Sequence, residues 1–254
     1  MEGKLRLGLL QRALKKRSPV RRKWPVTAKM MRWIRGQLDL DKSDDRVVWM
    51  SLNLGWFFLM RLSEYAAHDG NDHDMAKALL GESIGFRLDG KVVLSGKLAD
   101  ELGIAFRSSK ADIFNAGELR NHFRAEDADF CVVEAVAMVQ ERFPERFGDG
   151  REATLPICRF ANGSPVFRSQ LQVWIARAAR EEGYDTDRFG SHSLRIGGAT
   201  ALYHAGVSVE IIKRVGRWAS DAFHGYLWES SDNARGLSSK MAADKSSLMV
   251  TRGR

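Results

Sequence analysis

Two short segments of this 254-residue chain hold residue types that suit attack on an anionic ester. The first reads Ser191-His192-Ser193-Leu194-Arg195-Ile196-Gly197-Gly198-Ala199-Thr200, and its His192 and Arg195, three apart, share one face of a helix. The second reads Val215-Gly216-Arg217-Trp218-Ala219-Ser220-Asp221-Ala222-Phe223-His224-Gly225-Tyr226 and ends on one of only four tyrosines. A phenol has a pKa near 10, so it becomes a nucleophile only with a base or cations beside it. A guanidinium is planar, permanently charged and able to bond two oxygens at once, which suits charge building on a phosphoryl group. By itself a helical tyrosine is a packing residue with its hydroxyl at the surface. Its company is what makes Tyr226 a candidate.

These groups need elements to position them. Thr27 reads as an N-cap for a helix through residue 37, with Met31, Trp33 and Ile34 toward the core. A second helix is expected over 45–67. Val47, Val48, Leu52, Trp56, Leu59 and Met60 make it apolar nearly all round, so it should be central, with Arg61 near its end. Residues 86–88, the Asp89-Gly90 turn and residues 91–94 read as a hairpin, 103–107 as a third strand, and Lys110 falls in the polar run beyond. Helices follow over 131–142 and 169–182, separated by a loop over 148–163. Three short helices over 191–204, 208–214 and 221–228 finish the fold, with Ser208 and Ser220 or Asp221 as caps and Gly206 and Gly216 as stops. The class is mainly α with a small antiparallel sheet, in three parts: a basic linker or arm over 1–26, a globular domain over 27–228 and a polar tail over 229–254.

Composition is that of an ordinary folded domain, 44% hydrophobic and 28% charged. The net charge of +8 is unevenly spread: residues 1–35 hold twelve Lys or Arg against Glu2 alone, leaving the remainder net acidic. Lys15, Lys16, Arg17, Arg21, Arg22 and Lys23 form the densest run and are candidates for tracking a polyanion, against the alternative of a solvated tether. Cys131 and Cys158 are far apart with no CxxC pair, so both read as buried thiols, and no disulfide scaffold or zinc site is indicated. The most apolar stretch, 47–62, is too short and too polar for a membrane span, and the N-terminus lacks the apolar run and cleavage site of an export signal. An intracellular protein is expected.

With those residues in hand, the sequence resembles the tyrosine recombinases, or phage-type integrases. His192 and Arg195 match the family's HxxR pair. Tyr226 lies ten residues after Gly216 and thirty-one after Arg195, close to the family's spacing. Arg61 in Met60-Arg61-Leu62-Ser63-Glu64 matches the family's Arg-x-Ser-Glu, and Lys110 maps to its hairpin lysine. The departure is at the family's His or Trp position after Gly216, where Arg217 stands, with Trp218 next. The string Gly-Arg-Trp-x-Ser-Asp-Ala-Phe is especially similar to recombinases of certain eukaryotic transposable elements.

The resemblance spans about residues 27–228 and implies a tyrosine recombinase catalytic domain that cuts and rejoins double-stranded DNA through a 3′-phosphotyrosyl link. It implies no cofactor and no metal, a tetramer on DNA, and a nuclear location in a eukaryote or a cytoplasmic one in a bacterium. Arg61 and Arg195 would neutralise the phosphate, His192 would assist deprotonation of Tyr226, Lys110 would protonate the departing 5′ oxygen, and Arg217 or Trp218 would fill the remaining position. Glu64 is expected to support a catalytic arginine or the backbone. The Gly197-Gly198 pair lowers helix propensity by about 1 kcal/mol per residue, which predicts close backbone approach to another segment or to DNA. Family members normally carry an N-terminal helical clamp domain, and this chain starts near where that domain would end, so a fragment, a separate domain or a degenerate copy is expected. Two competing functions are a DNA-binding module without catalysis and a type IB topoisomerase. A helix-turn-helix around Gly206 ranks lower, since it gives Tyr226 no role.

Overall fold

The structure is a computed structural model, which describes residues 22–107 and 118–228. Lys15, Lys16, Arg17, Arg21, Lys110 and the tail over 229–254 lie outside the described residues. Helix α1 (Ala28–Gln37) starts where Thr27 accepts the Met30 amide on its hydroxyl at 3.1 Å, as the capping pattern predicts. Helix α2 (Ser43–Phe57) buries every residue from Val47 to Trp56 and packs against α4 (Val132–Arg142) and α6 (Ser193–His204). Its Ser51 and Asn53 tolerate burial because each bonds the carbonyl four residues back, Val47 O and Trp49 O, at 2.8 Å. Helix α1 packs instead on α5 (Arg168–Glu181).

The expected single helix over 45–67 is two. Helix α2 stops at Phe57, Leu59 takes a positive φ of 49°, and the chain re-enters a one-turn helix α3 (Leu62–Tyr65). The apolar run continues through Leu59 and Met60, so hydrophobicity alone does not mark the break. It frees the Leu59 carbonyl for a partner far along the chain.

The sheet is antiparallel throughout, in the order β2-β1-β3-β4, from β1 (Ile84–Leu88), β2 (Lys91–Val93), β3 (Glu101–Phe106) and β4 (Glu118–Phe123). Asp89 and Gly90 both take positive φ, 49° and 75°, as the two-residue hairpin turn demands. Strand β4 escaped the sequence reading. It alternates half-buried and exposed positions and leaves Leu119 and Phe123 on the surface, so it carries no apolar core signal.

Helix α7 (Val209–Val215) begins at Ser208, whose hydroxyl accepts the Ile211 amide. The last expected helix is a six-residue 3-10 helix, Asp221–Tyr226. A main apolar core runs from Val26 to Leu194, and a small second cluster of Leu59, Ala199 and Ile212 lies under Trp218, Tyr226 and Leu227. Cys131 and Cys158 are both buried free thiols, and burial pushes the Cys158 thiol up to about 12. Among the described residues no helix is long and apolar enough to cross a membrane.

Candidate active site

Helix α6 must lie almost on the backbone of its neighbours, and its paired glycines allow it. A Cβ at Gly197 would stand 2.0 Å from the Val26 carbonyl oxygen, and one at Gly198 would stand 1.9 Å from that of Trp56. The close approach predicted for these glycines is therefore to other segments of the chain. It brings the first turn of α6, with Arg195, against the break after α2.

There Arg195 is 2% exposed. It donates Nη1 to the Leu59 carbonyl at 2.6 Å and Nη2 to the Gly216 carbonyl at 2.5 Å. Its guanidinium lies 4.4 Å from the Trp218 ring centre and 5.8 Å from that of Tyr226. Burial, then the neighbouring Arg61 and Arg217, push this guanidinium down to about 9, so it stays charged at neutral pH. Each terminal nitrogen carries two hydrogens, so bonding one carbonyl apiece leaves donors over.

Glu64 is the hub of a second arginine pair. Its carboxylate takes Arg217 in a two-pronged pair, Nη1 to Oε1 at 2.9 Å and Nη2 to Oε2 at 2.8 Å. It also accepts the Arg61 backbone amide at 2.7 Å and the Arg61 side chain at 3.2 Å. Glu64, expected to support an arginine or the backbone, bonds both. Of the two candidates for the remaining position, Arg217 has its side chain fully buried, 3.6 Å over the Phe106 ring, and committed to Glu64. It has φ of 55°, so the chain turns sharply and presents the Gly216 and Arg217 carbonyls to Arg195 and Arg61, the latter at 3.4 Å. Trp218, rather than Arg217, is the side chain that meets Tyr226, with ring centres 4.9 Å apart. Gly216 is needed because a Cβ there would fall 1.7 Å from the Trp218 ring.

Tyr226 sits half-buried at the rim of this frame, and His192 reaches it: Nε2 and Oη are 2.6 Å apart. Desolvation beneath the phenol, then Arg195 and Arg61, hold the His192 imidazole below its ordinary value near 6.5. It is therefore neutral at pH 7, and with the proton on Nδ1 its Nε2 accepts from the phenol. Three arginines against one carboxylate leave the surroundings of Tyr226 cationic. The other tyrosines lack this company. Tyr65 is buried, donates to the Ser191 carbonyl at 3.3 Å, and has its phenol pushed well up by burial. Tyr184 packs on Trp24 and Phe189, and Tyr203 on His204.

The structure thus gathers Arg61, Glu64, His192, Arg195, Trp218 and Tyr226 in one place. The described end of the basic run is turned onto the chain itself. Arg22 donates to the carbonyls of Gly225 and Leu227, and Lys23 to those of Asp187 and Phe189, so both head groups are engaged within the chain. Residues 22–26, expected in the linker, pack on the domain: Trp24 N donates to Arg188 O and Val26 N to Ser193 O, and Val26 is fully buried. Trp228 is half-buried under the Arg22 guanidinium, 4.3 Å from its ring centre. Among the described residues no group of three or more His, Cys, Asp or Glu is placed to hold a metal ion.

This architecture, mainly α with one small antiparallel sheet, is the fold of tyrosine recombinase catalytic domains. It is similar to the XerH site-specific recombinase bound to difH substrate in a pre-cleavage complex, with TM-score 0.53 and 12% identity over 86% of this chain and 53% of that one. It is also similar to the same recombinase on a palindromic difH substrate in a post-cleavage complex, with TM-score 0.55 and 12% identity over 85% and 52%. The chain spans about half the length of those recombinase chains. No protein-family model and no curated protein matches the sequence.

Proposed function

We propose that this chain cuts and rejoins double-stranded DNA, with Tyr226 as the nucleophile. The observation that carries the reading is the 2.6 Å contact of Tyr226 Oη with His192 Nε2 beside the Arg195 guanidinium. A phenol paired to a neutral imidazole and set against fixed positive charge has the parts that phosphoryl transfer needs.

In this mechanism Tyr226 Oη attacks the phosphorus while its proton passes to His192 Nε2. Arg61, half-exposed at the rim, and the remaining donors of Arg195 take the nonbridging oxygens. The bond from phosphorus to the 5′ oxygen breaks, and that oxygen receives its proton from Lys110, the family-implied donor. The product is a 3′-phosphotyrosyl link that a second 5′ hydroxyl reverses, so the bond energy is kept and no nucleotide cofactor is consumed. Arg217 acts through Glu64 to hold Arg61, and Trp218 supports the faces of both Arg195 and Tyr226. We place its action inside the cell, as an oligomer on duplex DNA, and the Gly-Arg-Trp-x-Ser-Asp-Ala-Phe string favours an origin in a transposable element.

The test is a pool of duplexes with randomised core sequence, each nicked so that cleavage releases a short strand and traps the adduct. The full chain is expected to form a denaturation-resistant protein–DNA adduct that Tyr226→Phe does not form. Equal adduct from the two overturns the mechanism. Salt-sensitive binding with no adduct on any duplex supports a binding module without catalysis. Relaxation of unrelated supercoiled DNA by the monomer favours a topoisomerase.

A further inference from the structure

We infer that Arg22 is a positioning residue for Tyr226: the segment entering the domain grips the backbone on both sides of the phenol and sets where it stands. This rests on the reading of Tyr226 as the nucleophile.

The turn that carries Tyr226 has little structure of its own. It is a six-residue 3-10 helix, extended by Leu227 N donating to the His224 carbonyl at 3.3 Å and anchored by the buried Phe223, on a cluster with only three fully buried apolar side chains. Its geometry is instead imposed by side chains from elsewhere. Four consecutive carbonyls each accept one: Gly225 from Arg22 Nε at 2.8 Å, Tyr226 from Thr200 Oγ1 at 3.1 Å, Leu227 from Arg22 Nη2 at 2.6 Å, and Trp228 from His204 Nε2 at 2.8 Å. Thr200 and His204 belong to α6, the helix that His192 precedes as N-cap. Arg22 comes from the opposite end of the domain, more than 200 residues away in sequence, and is the donor that brackets the tyrosine.

Arg22 is itself held. Arg188 Nη2 donates to the Arg22 carbonyl at 3.0 Å while its guanidinium lies 4.8 Å from the Trp24 ring centre. Lys23 Nζ bonds Asp187 O at 2.7 Å and Phe189 O at 3.0 Å, in the loop that leads into His192. Val26 N bonds Ser193 O at 3.0 Å, and the Val26 carbonyl accepts Trp56 Nε1 at 3.2 Å. One segment therefore ties the approach to the base with one lysine and the nucleophile's backbone with one arginine. Two carbonyls two residues apart suit the fork of a guanidinium, which an ammonium group cannot reproduce. Because near-attack geometry decides rate, releasing this grip slows chemistry more than it weakens DNA binding.

The experiment compares full-length Arg22→Gln, Arg22→Lys and Lys29→Gln with the parent; Lys29 is an exposed cation that pairs with Glu182. The two Gln variants lose the same charge, and only the first loses the grip on Tyr226. Single-turnover adduct formation at saturating DNA is expected to fall roughly tenfold in Arg22→Gln, with Arg22→Lys between it and the parent and Lys29→Gln within about threefold of the parent. NMR titration of His192 without DNA is a second readout, since burial, to which the overlying phenol contributes, then Arg195 and Arg61 hold it down. In Arg22→Gln its pKa should rise toward the ordinary histidine value as the phenol moves off. An unmoved titration, a loss confined to half-saturation by DNA, or equal losses in the two Gln variants overturns the inference. A parent that forms no adduct overturns the nucleophile reading instead, and the titration still decides whether Arg22 holds the tyrosine.

Discussion

The arginine frame and the tyrosine turn lie side by side but are built in opposite ways. Arg195, Arg217 and Glu64 are buried within a few per cent of completeness and are tied to the break after α2 and to the turn after α7. Tyr226 stands half-buried on a 3-10 turn over the small second cluster, held by single side-chain bonds to its backbone. Burying two guanidiniums costs several kcal/mol each in lost hydration, which only paired donors and acceptors offset. The frame is therefore rigid and expensive to disturb, while the turn is cheap to disturb and, under the proposed mechanism, decisive for chemistry. In that mechanism preorganised charge has to be fixed before the reaction, whereas Tyr226 has to move toward the phosphorus as its proton passes to His192.

That contrast predicts a split between activity and stability. Tyr226→Phe is expected to remove adduct formation by on the order of 10⁴-fold or more while changing unfolding free energy by less than about 1 kcal/mol. Trapping assays and chemical denaturation on one preparation check both halves. A large stability loss here would place Tyr226 in the frame.

Glu64→Gln attacks the other side. It leaves Arg217 buried without its counter-charge and is expected to cost about 3 kcal/mol of stability, with activity falling as Arg61 loses its anchor. A denaturation midpoint close to the parent's would mean that the frame is less rigid than its burial implies.

His192→Gln tests the contact between the regions and should slow single-turnover cleavage by about 10²-fold. The base works only when neutral, and the folded pKa lies below the ordinary 6.5 because of desolvation, Arg195 and Arg61. Parent activity should therefore fall only as pH drops below that value, and Arg61→Gln should move this acid limb upward. A limb that persists unchanged in His192→Gln assigns it to another group.

Thr27→Ala gives the smallest effect, about 1 kcal/mol of stability with cleavage unaffected, since the cap serves α1 and touches neither region. A change in cleavage would extend the coupling between Val26 and α6 farther than the contacts above.

Much of the site was legible because its signals are local. His192 and Arg195 announce one helix face by spacing, the Asp89-Gly90 pair announces a turn, and Thr27 and Ser208 announce caps through partners three residues on. What escaped depends on partners far away. Arg22 is one cation in a basic run, and nothing near it in sequence marks the carbonyls of Gly225 and Leu227 as its acceptors. Arg217 and Trp218 are adjacent, and a sharp turn at positive φ sends one under Glu64 and the other over Arg195. Strand β4 is amphipathic with its apolar side chains outward, which inverts the usual reading of alternation.

By itself the sequence determined the elements, the caps and the candidate set of Arg61, His192, Arg195 and Tyr226, because periodicity, capping and residue chemistry act over a few neighbouring positions. Only the tertiary structure decided which cations face outward and which are buried, where α2 breaks, and what grips the tyrosine. The carbonyls and carboxylate that answer each guanidinium are brought to it by packing from the opposite end of the chain.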